Sequence, residues 1–341
     1  MRNNAIVITE PTAIVQKDIG VRDLGPGCAR VAVKAVGICG SDISYFKGTA
    51  PTKIPYPLVI GHEVSGEIVE LRGGGGEFAV GDRVVVSPYA PCGRCYPCSI
   101  GRSGCCTEMR VLGTHLDGCA MEWCDLPVER LVKAPRGMPW AKAAMAEPFA
   151  IALHGMSRSR LSAGEHVVII GAGAIGCLTA LAALAVGAVP IMLDIADAKL
   201  EFAKSYGAPF AINTRTADAR ERIREITGGR MAEVVMEISG ANAAVLDSFD
   251  YVAHAGRLVL TGWAKSPLEI DTRVITRKEI DVLGQRNTDR AEIARALQTI
   301  HEDAVDVMRL VTRTIPFDGA HRYVEHMAGH PDENVKVIAL L

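Results

Sequence analysis

The stretch HVVIIGAGAIGCLTALAALAVGA, residues 166–188, decides the fold. His166 to Ile170 form a short β-branched run that reads as a buried strand. The Ala- and Leu-rich run that follows reads as a helix. Between them Gly171, Gly173 and Gly176 stand in G-x-G-x-x-G spacing. That spacing alone is weak evidence; placed between a strand and a helix it is strong. The first glycine makes the turn, and the second lets backbone approach a pyrophosphate at the helix N-terminus. The third lets helix and strand pack closely. The expected contact surface is Gly171, Gly173, Ala174, Ile175 and Gly176. Asp194 ends the next strand, about twenty residues on, where a carboxylate accepts bonds from a ribose 2′,3′-diol and repels a 2′-phosphate. Residues 195–198 are Ile, Ala, Asp and Ala, with no arginine to hold such a phosphate, so NAD is expected over NADP.

Downstream, strand and helix patterns alternate: PIMLDI, ADAKLEFAKSYGA, FAINT, ADARERIREITGG, AEVVMEIS, ANAAVLDSFDYVA and GRLVLTG. This order implies a doubly wound parallel sheet. Upstream, CARVAVKAVGI, EVSGEIVEL and GDRVVVSP alternate as short strands broken by glycine and proline. LRGGGGEF has no helix after it and reads as a hairpin tip. After residue 288 come a helix, DRAEIARALQTIHED, and a last strand, VKVIALL. The expected fold class is therefore α/β. A β-rich domain over residues 1–147, rejoined by 289–341, flanks a nucleotide domain over 148–288.

The formal net charge of −2 gives no electrostatic case for nucleic acid or an acidic membrane. The longest apolar stretch is interrupted by Gly187 and Pro190, so no membrane span is expected, and no export signal is read at the N-terminus. A cytoplasmic location follows as the default. There, the ten cysteines are expected as ligands or buried thiols and not as disulfides.

Five of those cysteines crowd PCGRCYPCSIGRSGCC. Cys92, Cys95 and Cys98 in C-x2-C-x2-C spacing put three thiolates on one metal, and a fourth closes a tetrahedral structural zinc site. An iron–sulfur cluster with similar spacing would place its fourth cysteine three residues later, before a proline, which neither Cys105 nor Cys106 matches. Spacing does not separate those two. A second set, Cys39, His62 and Glu147, offers three ligands of the types a catalytic zinc takes, with a position left open.

GICGSD, GHEVSGEIVE, VGDRVVVSP, CGRCYPCSIGRSGCC, AEPFAIALHG and GAGAIG follow one another as in the zinc-dependent medium-chain dehydrogenases, over essentially the whole chain. The chain most resembles their polyol and sugar-acid branch, the sorbitol and L-galactonate or L-gulonate dehydrogenases. The segment VLGTHLDGCAMEW and a glutamate at 147, where simple alcohol dehydrogenases carry cysteine, point that way. The resemblance implies a GroES-like catalytic domain split around a Rossmann domain. It implies two zinc ions and NAD, and selects Cys106 as the fourth structural ligand. Cys28, Cys119, Cys124 and Cys177 match no ligand position.

Around the catalytic zinc the resemblance places Cys39, His62 and Glu147. Glu63 is the alternative direct ligand, with Glu147 then holding the metal's water. Ser41 matches the hydroxyl that contacts the substrate oxygen and takes its proton, and Lys199 matches a basic residue near the adenosine ribose. Tyr45, Arg286 and Asn287 match substrate-side positions. Many relatives carry a proton-relay histidine where this chain has Ser44. The implied reaction moves hydride between a secondary alcohol of a sugar acid or polyol and NAD, in a homodimer or homotetramer. Alternatives are a simple-alcohol or threonine-like amino-alcohol dehydrogenase, a zinc-free quinone reductase-like protein, and a non-enzymatic NAD sensor.

Overall fold

The computed structural model describes residues 2–341, and the chain divides into two compact units. One comprises residues 1–150, 287–303 and 311–341; the other comprises 151–286 and 304–310. The first cut falls inside the helix Ala146–Ser159, three residues beyond the expected boundary. The tail does not return as one piece, because 304–310 belongs with the second unit.

The second unit holds six parallel strands in the order Phe210–Asn213, Val189–Asp194, His166–Ile170, Ala232–Glu237, Val252–Leu260, Asp281–Gly284. The order reverses beside His166–Ile170, so the crevice at the carboxyl ends of the central strands lies at the glycine turn. The last strand, and the short helix Arg273–Lys278 before it, were not read from the sequence. Asp281–Gly284 is an exposed edge with little apolar alternation to signal it. Val168, Ile170, Ile191, Leu193, Val235 and Leu258 fill the core on one side of the sheet.

The first unit is built on the long strand Cys28–Ile38. Glu63–Arg72 pairs along one of its edges. The other edge is shared: Trp123–Pro127 pairs with Cys28–Ala32, and Lys336–Leu340 with Ala35–Ile38. Arg83–Val86 and Leu131–Lys133 extend the sheet beyond Glu63–Arg72, and Val311–Pro316 extends it beyond the final strand. The glycine run LRGGGGEF lies between the paired strands Glu63–Arg72 and Arg83–Val86, with Gly73, Gly74 and Gly76 all at positive φ. Such a tip suits glycine, which meets no steric penalty there. These architectures are the GroES-like and Rossmann-like folds. Among the described residues no helix is long and apolar enough to cross a membrane.

Candidate active site and metal centres

In the Rossmann-like unit the three glycines divide the work by geometry. Gly171 has φ of 109°, and a side chain there would press on Ser239. A Cβ on Gly176 would lie 1.8 Å from the Gly171 carbonyl oxygen, so the helix Ala174–Ala185 packs on the strand only with glycine at this point. A Cβ on Gly173 would meet no protein atom within 4 Å. The space above Gly173, at the helix N-terminus, is open for an anion. Ala174 and Ile175 form the first turn and are half-buried.

Asp194 accepts the Ala172 amide at 2.7 Å with one oxygen and the Ile195 and Ala196 amides at 2.7 and 3.0 Å with the other. The carboxylate therefore ties the glycine turn to the next strand and stays at the rim of a cavity of about 190 Å³. Gly171, Leu193, Ser239, Ala241, Ala244 and Tyr251 line that mostly apolar slot, which fits a flat purine. Lys199 is half-buried on the helix Asp197–Ser205. Arg286 is exposed and lies over the Trp263 ring, 5.7 Å from its centroid.

In the GroES-like unit, Cys39 caps the helix Gly40–Phe46, while His62 precedes and Glu63 opens the strand Glu63–Arg72. The cross-strand pairing Gly37↔Glu63 brings the two segments together. The result is one cluster in which ligand atoms of Cys39, His62 and Glu63 lie within 4.8 Å of one another. Glu147 is not in that set; its carboxylate accepts the hydroxyl of Tyr89. The geometry thus groups Glu63, and not Glu147, with Cys39 and His62.

Two residues complete the cluster that sequence reasoning passed over. Asp42 is fully buried; it accepts the Cys39 amide at 2.9 Å, and its other oxygen lies 3.8 Å from His62 Nδ1. At that separation the carboxylate makes no hydrogen bond to the ring but sets a buried negative charge beside it. Its signal was the aspartate three residues after Cys39 in CGSD. Lys336, buried on the final strand, pairs with Glu63 and donates to the Ile38 carbonyl at 3.3 Å. Nothing near residue 336 in the sequence announces it, because only the antiparallel insertion of the final strand beside Cys28–Ile38 brings it here.

The electrostatics call for a cation. Burial is the largest influence on Glu147 and, with Glu63 nearby, raises its pKa to about 6 despite His62 and the Tyr89 bond. Burial also raises Asp42. Burial disfavours a charged His62, yet Cys39, Asp42 and Glu147 together drive its pKa well upward. The cluster sets three buried carboxylates, Asp42, Glu63 and Glu147, against one lysine, Lys336; Ser41 Oγ and His62 Nδ1 lack hydrogen-bond partners. The donor set and this charge deficit fit Zn²⁺.

Tyr45 is buried, its hydroxyl 2.9 Å from Thr114 Oγ1. Ser44 donates back to the Gly40 carbonyl at 3.1 Å. A cavity of about 480 Å³ reaches Tyr89 and is also lined by Ser87, Ser103, Arg130 and Arg290. Asn287 is turned to the cysteine loop, donating to the Gly104 carbonyl at 3.0 Å, so its amide serves that loop and not an open pocket.

In the loop itself the ligand atoms of Cys92, Cys95, Cys98 and Cys106 gather within 4.8 Å. Cys95 Sγ is 3.4 Å from Cys98 Sγ and 3.8 Å from Cys106 Sγ. The amides of Cys92 and Glu108 point at Cys106 Sγ from 3.2 and 3.3 Å, as suits a thiolate. Cys105 stands outside the set, its sulfur 3.9 Å from the Arg102 guanidinium. Four sulfurs this close and without an open side fit a structural zinc. Against the expectation of free thiols, Cys119 and Cys124 are joined as a disulfide, Cα–Cα 5.6 Å. The chain doubles back between them into the strand Trp123–Pro127, a proximity that a prior based on compartment does not see.

Residues 25–136 match the family model for the alcohol dehydrogenase GroES-like domain, and residues 174–302 that for zinc-binding dehydrogenases. An uncharacterized zinc-type alcohol dehydrogenase-like protein of Haemophilus influenzae is 41% identical over 99% of both chains. L-galactonate-5-dehydrogenase of Escherichia coli is 32% identical over 92% of each chain. A sorbitol dehydrogenase of Halalkalibacterium halodurans is 35% identical over 83% of each. Among solved structures, an alcohol dehydrogenase of E. coli complexed with NADH is 30% identical, with TM-score 0.91 over 100% of this chain and 99% of that one. A zinc-binding dehydrogenase of Sinorhizobium meliloti bound to NADP is 29% identical, with TM-score 0.92 over 100% of both.

Proposed function

Because the chain belongs to the zinc-type medium-chain alcohol and polyol dehydrogenases, we propose that it oxidises a secondary alcohol of a sugar acid or polyol with NAD, using one catalytic and one structural zinc. The observation that carries this reading is the Cys39–His62–Glu63 cluster, its His62 and Glu63 buried and its Cys39 half-buried, with buried Glu147 beside it. A zinc held by Cys39, His62 and Glu63 would supply Lewis-acid polarisation of the alcohol oxygen, and a nicotinamide cofactor would supply the hydride acceptor.

The chain's own residues do the rest. Asp42 accepts the Cys39 amide at the helix cap and sets a buried negative charge beside His62. Ser41, whose Oγ is buried and without a partner, is the candidate to take the hydroxyl proton. Tyr89, whose pKa burial and then Glu147 drive well upward, remains a hydrogen-bond donor and pins Glu147. Ser44, committed to Gly40, passes a proton onward only by way of water. Asp194 at the rim of the purine slot supports NAD, since a 2′-phosphate there would meet a carboxylate already held by three amides.

For a sugar acid, two arginines are candidates to fork onto the carboxylate. Arg286 is the one singled out by the sequence, and Arg130 lines the cavity beside Tyr89. The deciding experiment screens NAD and NADP reduction against sugar acids, polyols and simple alcohols, with zinc counted on the same sample. Arg286→Ala and Arg130→Ala follow on the best acid. Loss of about 10- to 100-fold in kcat/KM on the acid but not on a neutral polyol marks the carboxylate's partner. Preference for NADP, or turnover of simple alcohols alone, would overturn the corresponding part of the proposal.

A further inference from the structure

Away from both centres, the helix Ala320–Gly329 ends in two histidines one turn apart, His326 and His330, and the turn that follows brings Glu333 to them. One ligand atom from each lies within 4.8 Å of the others. The two imidazoles stack, centroids 4.3 Å apart and planes 20° apart. His326 Nε2 is 2.8 Å from a Glu333 carboxylate oxygen. His330 Nδ1 is 3.0 Å from the His326 carbonyl oxygen. A carbonyl only accepts, so Nδ1 of His330 carries the ring proton and Nε2 keeps its lone pair. A backbone carbonyl behind one ring nitrogen is the partner that commonly orients a metal-bound imidazole. All three side chains are exposed, so an ion reaches them without opening the fold.

We propose that His326, His330 and Glu333 form a surface site for a divalent transition metal of the zinc, nickel or copper kind. Two imidazole nitrogens with one carboxylate suit those ions; magnesium and calcium favour all-oxygen sets. Binding turns His326 Nε2 from a hydrogen-bond donor into a ligand, so any proton it carries toward Glu333 is released. Arg313, stacked over Tyr323 at 5.5 Å from the ring centroid, is a cation close enough to act on Glu333. The ion would join the last turn of the helix to the loop that enters the final strand, three residues before Lys336.

The test uses the full-length protein, dialysed against a weak chelator and titrated with NiCl₂ by calorimetry, with bound metal counted by mass spectrometry. Wild type is expected to take up one equivalent more than His330→Ala and one more than Glu333→Gln. Comparing by difference makes the result independent of metal held elsewhere in the chain. Added Ni²⁺ should raise the Tm of wild type more than that of either variant. Cu²⁺ at the site should give an electron paramagnetic resonance spectrum with nitrogen couplings that His330→Ala reduces. Equal uptake by wild type and both variants, or a difference seen only at millimolar metal, overturns the site.

Discussion

Replacing Lys336 with methionine tests the charge balance of the active-site cluster. The side chains of Lys336 and Glu63 are 1% and 2% exposed and are paired with each other. Methionine keeps most of the volume but leaves Glu63 buried with Asp42 and Glu147 and without its cation. Removing one partner of a buried pair costs about 3–5 kcal/mol. Changing Glu63→Gln as well removes the orphaned charge, so the double variant should regain much of the loss. Tryptophan fluorescence isolates the right unit: Trp123 and Trp140 lie in the GroES-like unit and Trp263 in the other, so a Trp263→Phe background reports the first alone. Urea unfolding in that background, with metal stripped and with zinc restored, gives the comparison. In stripped protein Lys336→Met should show the full cost; with zinc bound to Glu63 the loss should shrink, because the metal takes over as counter-charge. A loss below about 1 kcal/mol in the stripped protein, the scale of a surface pair, would refute the reasoning. A loss that zinc leaves unchanged would refute Glu63 as a direct ligand.

Gly173→Ala should leave the Tm almost unchanged yet weaken NADH binding, read by fluorescence titration, since the added methyl meets only the space meant for the dinucleotide. Gly176→Ala should destabilise the Rossmann-like unit by about 1–3 kcal/mol as an overpacked contact, read by urea unfolding through Trp263. Cys106→Ser should release the loop's metal and lower yield, while Cys105→Ser should leave the metal count unchanged. Without metal, Glu147 titrates near 6 against 4.5 when unfolded, because burial and then Glu63 outweigh His62 and Tyr89. The folded state therefore holds a proton the unfolded chain gives up, and stability should fall as pH rises from about 4.5 to 6, by about 2 kcal/mol in all. Glu147→Gln should flatten that slope in urea midpoints taken across the range.

Much of this was legible because the informative signals are local. A glycine turn between an apolar strand and a helix is written within 23 residues, 166–188, and the thiol loop is a run of fixed spacings. The strand that ends just before Cys39 and the one that opens at Glu63 alternate visibly. What stayed hidden depends on distant segments meeting. Lys336 reaches Glu63 only because the final strand inserts beside Cys28–Ile38. Tyr89 meets Glu147 across 58 residues of chain. Asn287 reads as substrate-facing beside Arg286, yet its amide is spent on Gly104. The edge strand Asp281–Gly284 carried too little alternation to be seen, and the Cys119–Cys124 contact arises from a reversal of the chain.

The central position of Lys336–Leu340, between Cys28–Ile38 and Val311–Pro316, bears on the order of events at the ribosome. All six strands of the Rossmann-like sheet have emerged once residue 284 is out, and that sheet can close while synthesis continues. The other sheet cannot. Its first strands wait, with an edge unfilled and Glu63 uncompensated, through some 270 residues of translation, at about 5–20 residues per second. The nascent catalytic unit thus spends its longest exposure in an incomplete state, and chaperone dependence should track the GroES-like half and not the nucleotide-binding half.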